Sequence, residues 1–390
     1  MKLRLNPLFD AMPTTVFERM SGLARAHGAI NLGQGFPDGD EPSDLIEAAA
    51  RALREASNQY APSRGTADLR LAAADFYNRF DGLSLTEANI VATSGATEAI
   101  AAALLAVVIQ GDEVIIIEPA YDAYRPLIER AGGVARAVSL APPHWRLTRE
   151  ALEAAITPRT RALVFNNPLN PAGRAFSRDE VEMVAAVCLQ HDLIAISDEV
   201  WERLVHDDGR HVSLASVQGM ADRTLKIGSA GKLFGLTGWK VGFLVGRGAL
   251  LEAAAKAHQF IAFSTAPHLQ AAVAEGLAWP ITRFENQAAA LTQARDHLAK
   301  ALSDEGFAVL PSEATYFLCV DLKASGIPVD AVEFADRAVT EHGVAAIPVS
   351  AFMSSADGDG VMRLCFAKPA AVLEEAARRL GRARRACMTR

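Results

Sequence analysis

One lysine in a glycine-rich loop has the surroundings in this chain that best suit covalent chemistry. The loop Gly228-Ser229-Ala230-Gly231-Lys232 continues to Gly238-Trp239-Lys240 and lies between strand-like segments at 224–227 and 241–246. An amine held among small residues can attack a carbonyl carbon and form a Schiff base, with Ser229 and Lys240 near enough to bind an anion beside it. A surface turn with a solvated lysine explains the same window equally well, because lysines are mostly exposed. The window alone leaves both interpretations open.

A nucleotide-binding P-loop is a third interpretation of this loop. That motif needs a glycine five positions before its Gly-Lys pair, and a serine or threonine after the lysine to meet a magnesium ion. This chain has Lys226 and Leu233 at those positions. The P-loop interpretation therefore fails.

Alternating strand-like and helix-like segments position the loop from residue 89 onward. Strands are expected at 90–93, 113–117, 134–138, 161–165 and 193–197, and helices at 98–109, 121–131, 149–156 and 178–191. This alternation predicts an α/β fold with a mainly parallel sheet and helices on both faces. Beyond residue 283 the pattern loosens, which indicates a smaller α+β domain.

Small and polar residues follow three of these strands, at the edge of the sheet where open α/β folds bind ligands. The turn Ser94-Gly95-Ala96-Thr97 opens a helix, so its free amides and the helix dipole suit a phosphate. It lacks the G-x-G-x-x-G spacing of a nicotinamide site. Asn170 offers a donor and an acceptor from a proline-fixed loop. Asp198 ends a buried strand, where capping a helix explains it equally well.

Three more residues stand out by type and place. Arg363 is a cation inside the apolar strand 361–366, and an unpaired buried charge is costly. It therefore needs an anion, either a structural carboxylate or one on a substrate. Gly35 ends a short strand where a backbone can approach a ligand, although a plain turn glycine is the more common case. Tyr60 stands in a polar loop, as a rim residue or a phosphate ligand.

Composition excludes several classes of protein. The 390 residues carry a net charge of -7 without a basic block, so nucleic acid is not an expected partner. No apolar run reaches the ~18 residues of a membrane span. The N-terminus has no pattern of a secretory signal, and we expect a cytoplasmic protein. Four scattered cysteines indicate neither a disulfide framework nor a metal site.

Together these residues resemble class I aminotransferases, the fold-type I enzymes that use pyridoxal 5'-phosphate. The resemblance spans nearly the whole chain and is closest to the branch of kynurenine, glutamine-phenylpyruvate and methionine aminotransferases. Its motifs are Asn31-Leu32-Gly33-Gln34-Gly35-Phe36-Pro37-Asp38, Glu118-Pro119-Ala120-Tyr121-Asp122 and the lysine loop. The resemblance implies a large cofactor-binding domain at 45–282 with a mainly parallel seven-stranded sheet. An N-terminal arm with part of the small domain would occupy 1–44, and the small C-terminal α+β domain 283–390.

The resemblance also implies a role for each site residue. Lys232 would bind the cofactor through an imine and then move a proton between substrate and cofactor. Asp198 would keep the pyridine nitrogen protonated. Arg363 would clamp the substrate carboxylate, and Gly35 would approach the substrate by its backbone. Asn170 would contact the ring oxygen and that carboxylate. The remaining cofactor contacts would be ring stacking by Tyr121 and phosphate binding by Gly95, Ala96, Thr97, Ser229, Lys240 and, in the partner subunit's site, Tyr60.

Trp201 departs from the family, which usually has tyrosine there with its phenol on the cofactor's ring oxygen. An indole can donate one hydrogen bond but cannot ionise. Trp201 either keeps the contact and changes the pKa of the imine, or only packs and leaves Asn170 alone on that oxygen. We expect a shifted pH optimum.

The implied activity is transamination between an L-amino acid and a 2-oxo acid in a homodimer with shared active sites. No second arginine is placed for a side-chain carboxylate, so aromatic or sulfur-containing donors such as methionine, phenylalanine, glutamine or kynurenine are favoured over aspartate. Candidates for an apolar pocket are Phe36, Tyr121 and Phe263. A cysteine-conjugate or cystathionine β-lyase would use the same lysine and clamp. An effector-sensing module would need an added DNA-binding segment.

Overall fold

A seven-stranded sheet lies at the centre of the larger part of the molecule. The computed structural model describes residues 3–39, 41–207 and 209–389. The strands in chain order are β1 (Ile30–Asn31), β2 (Ile90–Thr93), β3 (Glu113–Glu118), β4 (Val134–Ser139), β5 (Thr160–Asn166), β6 (Ile194–Asp198), β7 (Thr224–Ser229), β8 (Gly242–Val245), β9 (Ala308–Val309), β10 (Phe317–Asp321), β11 (Val344–Ala345), β12 (Ile347–Pro348) and β13 (Val361–Cys365). The large sheet has the order β2-β8-β7-β6-β5-β3-β4, and only β8 runs antiparallel to its neighbours. The predicted α/β fold with a mainly parallel seven-stranded sheet is confirmed.

The helices are α1 (Pro7–Asp10), α2 (Val16–His27), α3 (Ser43–Glu55), α4 (Ala67–Asp81), α5 (Ala96–Val107), α6 (Tyr124–Arg130), α7 (Arg149–Ala154), α8 (Arg178–Gln190), α9 (Ala230–Leu233), α10 (Gly248–Ile261), α11 (Pro267–Leu277), α12 (Ile281–Asp304), α13 (Ala331–Thr340) and α14 (Ala370–Met388). Two boundaries differ from expectation near the site. Helix α5 begins at Ala96 instead of Glu98, because Gly95 already serves as its N-cap. Helix α6 begins at Tyr124, so Tyr121 lies in the preceding turn, where its carbonyl accepts from the amide of Tyr124.

Both faces of the large sheet are covered, as its sequence requires. Successive residues of a strand point to opposite faces. In β3, Val114 and Ile116 pack with α5 and α10, whereas Ile115 and Ile117 pack with the residues of α8. Strands buried on both faces need continuous apolar runs, and β3 is buried along its whole length.

A second apolar core forms around a four-stranded antiparallel sheet of order β12-β13-β10-β9. Helices α12, α13 and α14 contribute Leu298, Phe334 and Leu380 to it, and α2 contributes Met20. Strands β1 and β11 pair in parallel beside this core. This α+β arrangement carries Arg363 in the middle of β13, opposite Cys319 of β10 and Ile347 of β12. Across the described ranges, no helix has the length and apolar character needed to cross a membrane.

Candidate active site

A cavity of about 260 Å³ opens at the carboxyl ends of the parallel strands. The last residues of β5, β6 and β7 all line it, namely Asn166, Asp198 and Ser229. Most of the residues singled out by sequence also line it: Gly35, Ala96, Thr97, Tyr121, Asn170, Asp198, Trp201, Ser229, Lys232 and Arg363. The sheet edge expected from sequence is therefore where these side chains meet.

Lys232 projects into this cavity from the segment that directly follows β7. It lies in the one-turn helix α9, whose N-cap Ser229 accepts a hydrogen bond from the Lys232 amide at 3.2 Å. The Nζ atom donates to the carbonyl of Gly35 at 3.1 Å and to the hydroxyl of Tyr316 at 2.9 Å. Burial lowers the pKa of the Lys232 amine to about 8. A solvated surface turn is thus excluded, and a reactive neutral amine is accessible near neutral pH.

Asp198 is a buried acid at the end of β6. Burial raises the pKa of its carboxyl group to about 6, against the opposing effect of a hydrogen bond from Tyr124. The Tyr124 hydroxyl donates to Oδ2 at 2.5 Å. The Val200 amide donates to Oδ1 at 3.4 Å, a weak contact that does not fix the carboxylate as a helix cap. A cationic ring nitrogen would give this acid the charge partner it lacks.

The N-terminus of α5 presents free backbone amides to the same cavity. Gly95 caps it with φ of 81°, a conformation that L side chains rarely adopt. A Cβ atom at Gly95 would lie 3.2 Å from Nζ of Lys240, so the absence of a side chain lets this lysine approach the helix end. Helix dipole, amides and ammonium together make an anion site. Gly95 and Lys240 thus flank the cavity next to Ala96, Thr97 and Ser229.

Arg363 is almost fully buried and has no carboxylate within ion-pair distance among the described residues. Its Nη1 donates to Oδ1 of Asn170 at 3.0 Å, and its Nη2 donates to the Gly33 carbonyl at 2.6 Å. The Nε atom has no hydrogen-bond partner there, and Asp122 acts on the guanidinium only from a longer distance. Of the two anions that the sequence left open, the structural carboxylate is therefore not supplied by any of the described residues. An anionic ligand in the cavity would supply the missing charge.

Two aromatic residues complete the walls of the cavity. Tyr121 meets Tyr124 edge to face, with ring centroids 5.8 Å apart. Trp201 is 2% exposed and packs edge on against Tyr316 and Phe317, with its ring 4.8 Å from Nζ of Lys232. The indole therefore contacts the lysine that the resemblance makes reactive.

Three predicted aromatic residues lie outside the cavity of their own chain. Tyr60 is 85% exposed and touches Phe263 edge to face at 5.3 Å. Phe263 and Phe36 do not line the cavity either. Of the three candidates for an apolar pocket, only Tyr121 does, whereas Phe17, Ile100, Val200 and Phe317 provide apolar walls that sequence reasoning missed.

A buried ionic network behind the site was also missed. Lys226 of β7 lies 2.5 Å from Glu199, 2.5 Å from Glu202 and 3.2 Å from Asp81. Glu199 additionally pairs with His211 at 2.8 Å and accepts from the hydroxyl of Ser197. Because Glu199 follows Asp198, the network ties the end of β6 to the strand that leads into the lysine loop. The adjacent acids Asp198 and Glu199 were the only feature of the sequence that pointed to this network.

The groups in this cavity fit pyridoxal 5'-phosphate. The set comprises an amine whose pKa is lowered by burial, a buried acid and a glycine-capped helix end beside a second lysine. A buried guanidinium with an unpaired Nε completes it. These are the groups needed, in turn, for covalent attachment, a ring nitrogen, a phosphate and a substrate carboxylate.

Comparisons with known proteins agree with this geometry. The family model "Aminotransferase class I and II" matches residues 27–380. The chain is 43% identical over 383 residues to the probable N-succinyldiaminopimelate aminotransferase DapC of Mycobacterium tuberculosis, covering 94% of this chain and 95% of that protein. It is 38% identical over 368 residues to the methionine aminotransferase of Escherichia coli, with coverages of 94% and 95%. The solved structure of N-succinyldiaminopimelate aminotransferase from Mycobacterium tuberculosis superposes with a TM-score of 0.94 at 41% identity, covering 97% of this chain and all of that one.

Proposed function

This chain belongs to the class I and II aminotransferases, which depend on pyridoxal 5'-phosphate, and we propose that its amino donor is a neutral aromatic or sulfur-containing L-amino acid. A 2-oxo acid would accept the amino group. Donors such as methionine, phenylalanine, glutamine and kynurenine fit this description.

The observation that carries the proposal is the buried guanidinium of Arg363, which lies in the same cavity as the amine of Lys232 and has no carboxylate partner among the described residues. A planar guanidinium binds a carboxylate by two parallel hydrogen bonds. Asn170 already holds one end of this guanidinium, so an incoming α-carboxylate would meet a fixed partner. The α-amino group of the same molecule would then point toward Lys232.

Each residue has a defined task in this reaction. The bound cofactor supplies an electron sink conjugated with the substrate's amino group. Lys232 would carry the proton to and from the substrate's α-carbon, and Asp198 would keep the proton on the ring nitrogen. Tyr121 would stack on the ring. The N-terminus of α5 would bind the phosphate together with Ser229 and Lys240, where the lysine would act as a point charge without a bidentate fork.

The preference for a neutral side chain rests on the charges of the cavity. Among its lining residues the cations are Lys232 and Arg363, both of which have tasks already. The rest of the wall includes Phe17, Ile100 and Phe317. A second carboxylate on the donor would therefore be buried without a partner, which is costly.

A second candidate donor is N-succinyldiaminopimelate, favoured by the name of the mycobacterial relative that is 43% identical. Its distal carboxylates would have to lie outside the cavity or meet a cation of a partner subunit. The β-lyase and effector-sensing alternatives have no such support, because the similar proteins are named as aminotransferases.

We also propose a homodimer that works in the cytoplasm. Tyr60, Phe260 and Phe263 are 85%, 89% and 43% exposed, and large aromatic side chains exposed together indicate an interaction surface. A second copy of the chain would cover them and receive Tyr60 at its cofactor phosphate. The four cysteines are buried and unpaired, as suits a reducing compartment.

A panel of amino donors tests the proposed function. The purified protein, loaded with pyridoxal 5'-phosphate, is mixed with methionine, phenylalanine, glutamine, kynurenine, aspartate or N-succinyldiaminopimelate, and the change in cofactor absorbance is followed. Neutral donors should react with the highest kcat/KM. Preference for aspartate would overturn the proposal, and preference for the succinylated donor would select the second candidate. Pyruvate and ammonia released from β-chloroalanine without an oxo acid would instead indicate a lyase.

A further inference from the structure

The reactive amine of Lys232 forms a closed triangle of hydrogen bonds with the hydroxyl of Tyr316 and the carbonyl oxygen of Gly35. Lys232 Nζ donates to the hydroxyl of Tyr316 at 2.9 Å and to the carbonyl of Gly35 at 3.1 Å. The Tyr316 hydroxyl itself donates to the same Gly35 carbonyl. Tyr316 is 1% exposed and does not line the cavity, so it meets a ligand only through the lysine.

The position of the Tyr316 hydroxyl is fixed by its surroundings. The ring lies edge on against Trp201 and Phe317, with centroids 4.6 and 4.9 Å away. Its backbone carbonyl accepts from the amide of Phe366 at 3.0 Å. Gly35 is held against Phe317 and Tyr316, because a Cβ there would lie 2.7 Å from the ring of Phe317 and 3.7 Å from that of Tyr316. A rigid phenol and a rigid carbonyl thus define one location for the amine.

Proton transfer by a lysine requires its amine to be held in one fixed position. The lysine side chain is flexible, and a displacement of about 1 Å from the productive geometry can cost roughly a hundredfold in rate. We propose that Tyr316 is a positioning residue that holds the amine of Lys232 whenever this amine is not covalently bound to the cofactor. The inference rests on the proposed role of Lys232 in proton transfer.

Tyr316 keeps its own proton while it does this. Burial raises the pKa of its hydroxyl well above the usual range, so the hydroxyl stays protonated and donates to Gly35. Its oxygen accepts from the lysine at the same time. The proton that moves is therefore carried by Nζ: the neutral amine takes it from the substrate's α-carbon and would then pass it to the cofactor, which leaves the amine neutral again. No charge develops on the phenol.

Tyr316→Phe removes the acceptor and keeps the ring. In the apoenzyme the Lys232 ammonium then has one of its two acceptors left, so its pKa should fall. Cys365, Arg363, Lys240 and Asp198 also act on this amine, and all remain in the variant. The midpoint of the pH profile for arylation of Lys232 by fluorodinitrobenzene, followed by mass spectrometry with the surface residue Lys300 as internal reference, should move to lower pH.

In the loaded enzyme the same variant should slow the single-turnover reaction with its best amino donor about tenfold to a hundredfold. The half-saturating concentration should stay within about twofold, because the carboxylate contacts of Arg363 are untouched. Tyr77→Phe is the matched control, since Tyr77 is equally buried and lies outside the cavity. It should behave as wild type in both assays.

An unshifted arylation midpoint, or a single-turnover rate equal to that of Tyr77→Phe, would overturn the positioning role. These outcomes differ from failure of the proposed function, in which the wild-type enzyme itself would transfer no amino group. A variant that binds donor more weakly with an unchanged rate would also contradict the inference, because it would indicate a role in binding.

Discussion

The indole of Trp201 and the phenol of Tyr316 meet edge to face with their ring centroids 4.6 Å apart, and both rings face Nζ of Lys232, at 4.8 and 5.3 Å. The resemblance drawn from the sequence implies a phenol at the position of Trp201. In this structure Tyr316, the residue before β10, places a phenol hydroxyl 2.9 Å from the lysine. The aromatic faces attract the ammonium form of the lysine.

Trp201→Tyr should change the pH titration of the bound cofactor. A phenol on the cofactor's ring oxygen can ionise, which an indole cannot, so the two variants should titrate with different pKa values. The measurement is the absorbance of the loaded enzyme from pH 5 to 10. Trp201→Phe serves as the control that keeps an aromatic ring without any donor. Identical titrations of wild type and Trp201→Tyr would contradict this expectation, whereas identical titrations of wild type and Trp201→Phe would show that the indole only packs.

Asp198→Asn should stabilise the apoenzyme while it destroys the activity. Burial raises the pKa of Asp198 to about 6, so the folded protein binds this proton more tightly than the unfolded chain does. Stability is therefore lost as pH rises from about 4 through 6, by up to about 3 kcal/mol at pH 7. The neutral amide removes that loss, and the apo variant should melt at a higher temperature than wild type at pH 7, with a smaller difference at pH 5.

The loaded Asp198→Asn enzyme should react about a hundredfold more slowly or worse, because the ring nitrogen loses its charge partner. Asp192→Asn, on the surface just before β6, is the control and should change neither property. A lower melting temperature of apo Asp198→Asn at pH 7 would contradict the argument.

Most of the site could be predicted from the sequence, because the site residues follow the ends of buried strands. Asp198, Ser229 and Asn166 share one sheet edge by topology alone, and a parallel sheet is readable from alternating segments. Tyr124, which donates to Asp198, was hidden because the helix was expected to begin at Tyr121. Tyr316 and Lys226 were hidden for another reason. Their partners lie 84 and 27 residues away in the chain, and no local pattern reports contacts that the packing of separate elements creates.

Lys226→Met should destabilise the fold strongly. It would leave Glu199, Glu202 and Asp81 buried without their shared cation, and breaking a buried ion pair costs about 3–5 kcal/mol. Lys300→Met removes a surface lysine paired with Asp304 at 2.7 Å and should cost about 0–1 kcal/mol. Thermal unfolding of both variants gives the comparison. Equal losses of unfolding free energy in the two variants would mean that the buried network does not hold β6 and β7 together.

Arg363→Lys should weaken donor binding about tenfold to a hundredfold, because an ammonium cannot form two parallel hydrogen bonds to a carboxylate. The effect should appear in KM for both the amino acid and the oxo acid, since both carry the α-carboxylate. Arg223→Lys is the control, as this arginine pairs with Asp192 away from the cavity. Unchanged KM values for Arg363→Lys would remove the observation on which the proposed function rests.

Subunit complementation tests the role of Tyr60 in a partner's site. Tyr60 is 85% exposed and outside the cavity of its own chain, so a site shared between two copies would combine Lys232 of one with Tyr60 of the other. Lys232→Ala and Tyr60→Ala should each be weakly active or inactive as pure proteins. When they are unfolded, mixed and refolded together, half of the dimers are hybrids, and each hybrid holds one site with both native residues. Activity should therefore return to roughly a quarter of wild type. If the subunits do not exchange, or if Tyr60 acts in its own chain, the activity of the mixture would equal the sum of the activities of the two pure variants. Size-exclusion chromatography and mass spectrometry of the refolded mixture show whether hybrid dimers formed and so separate these two cases.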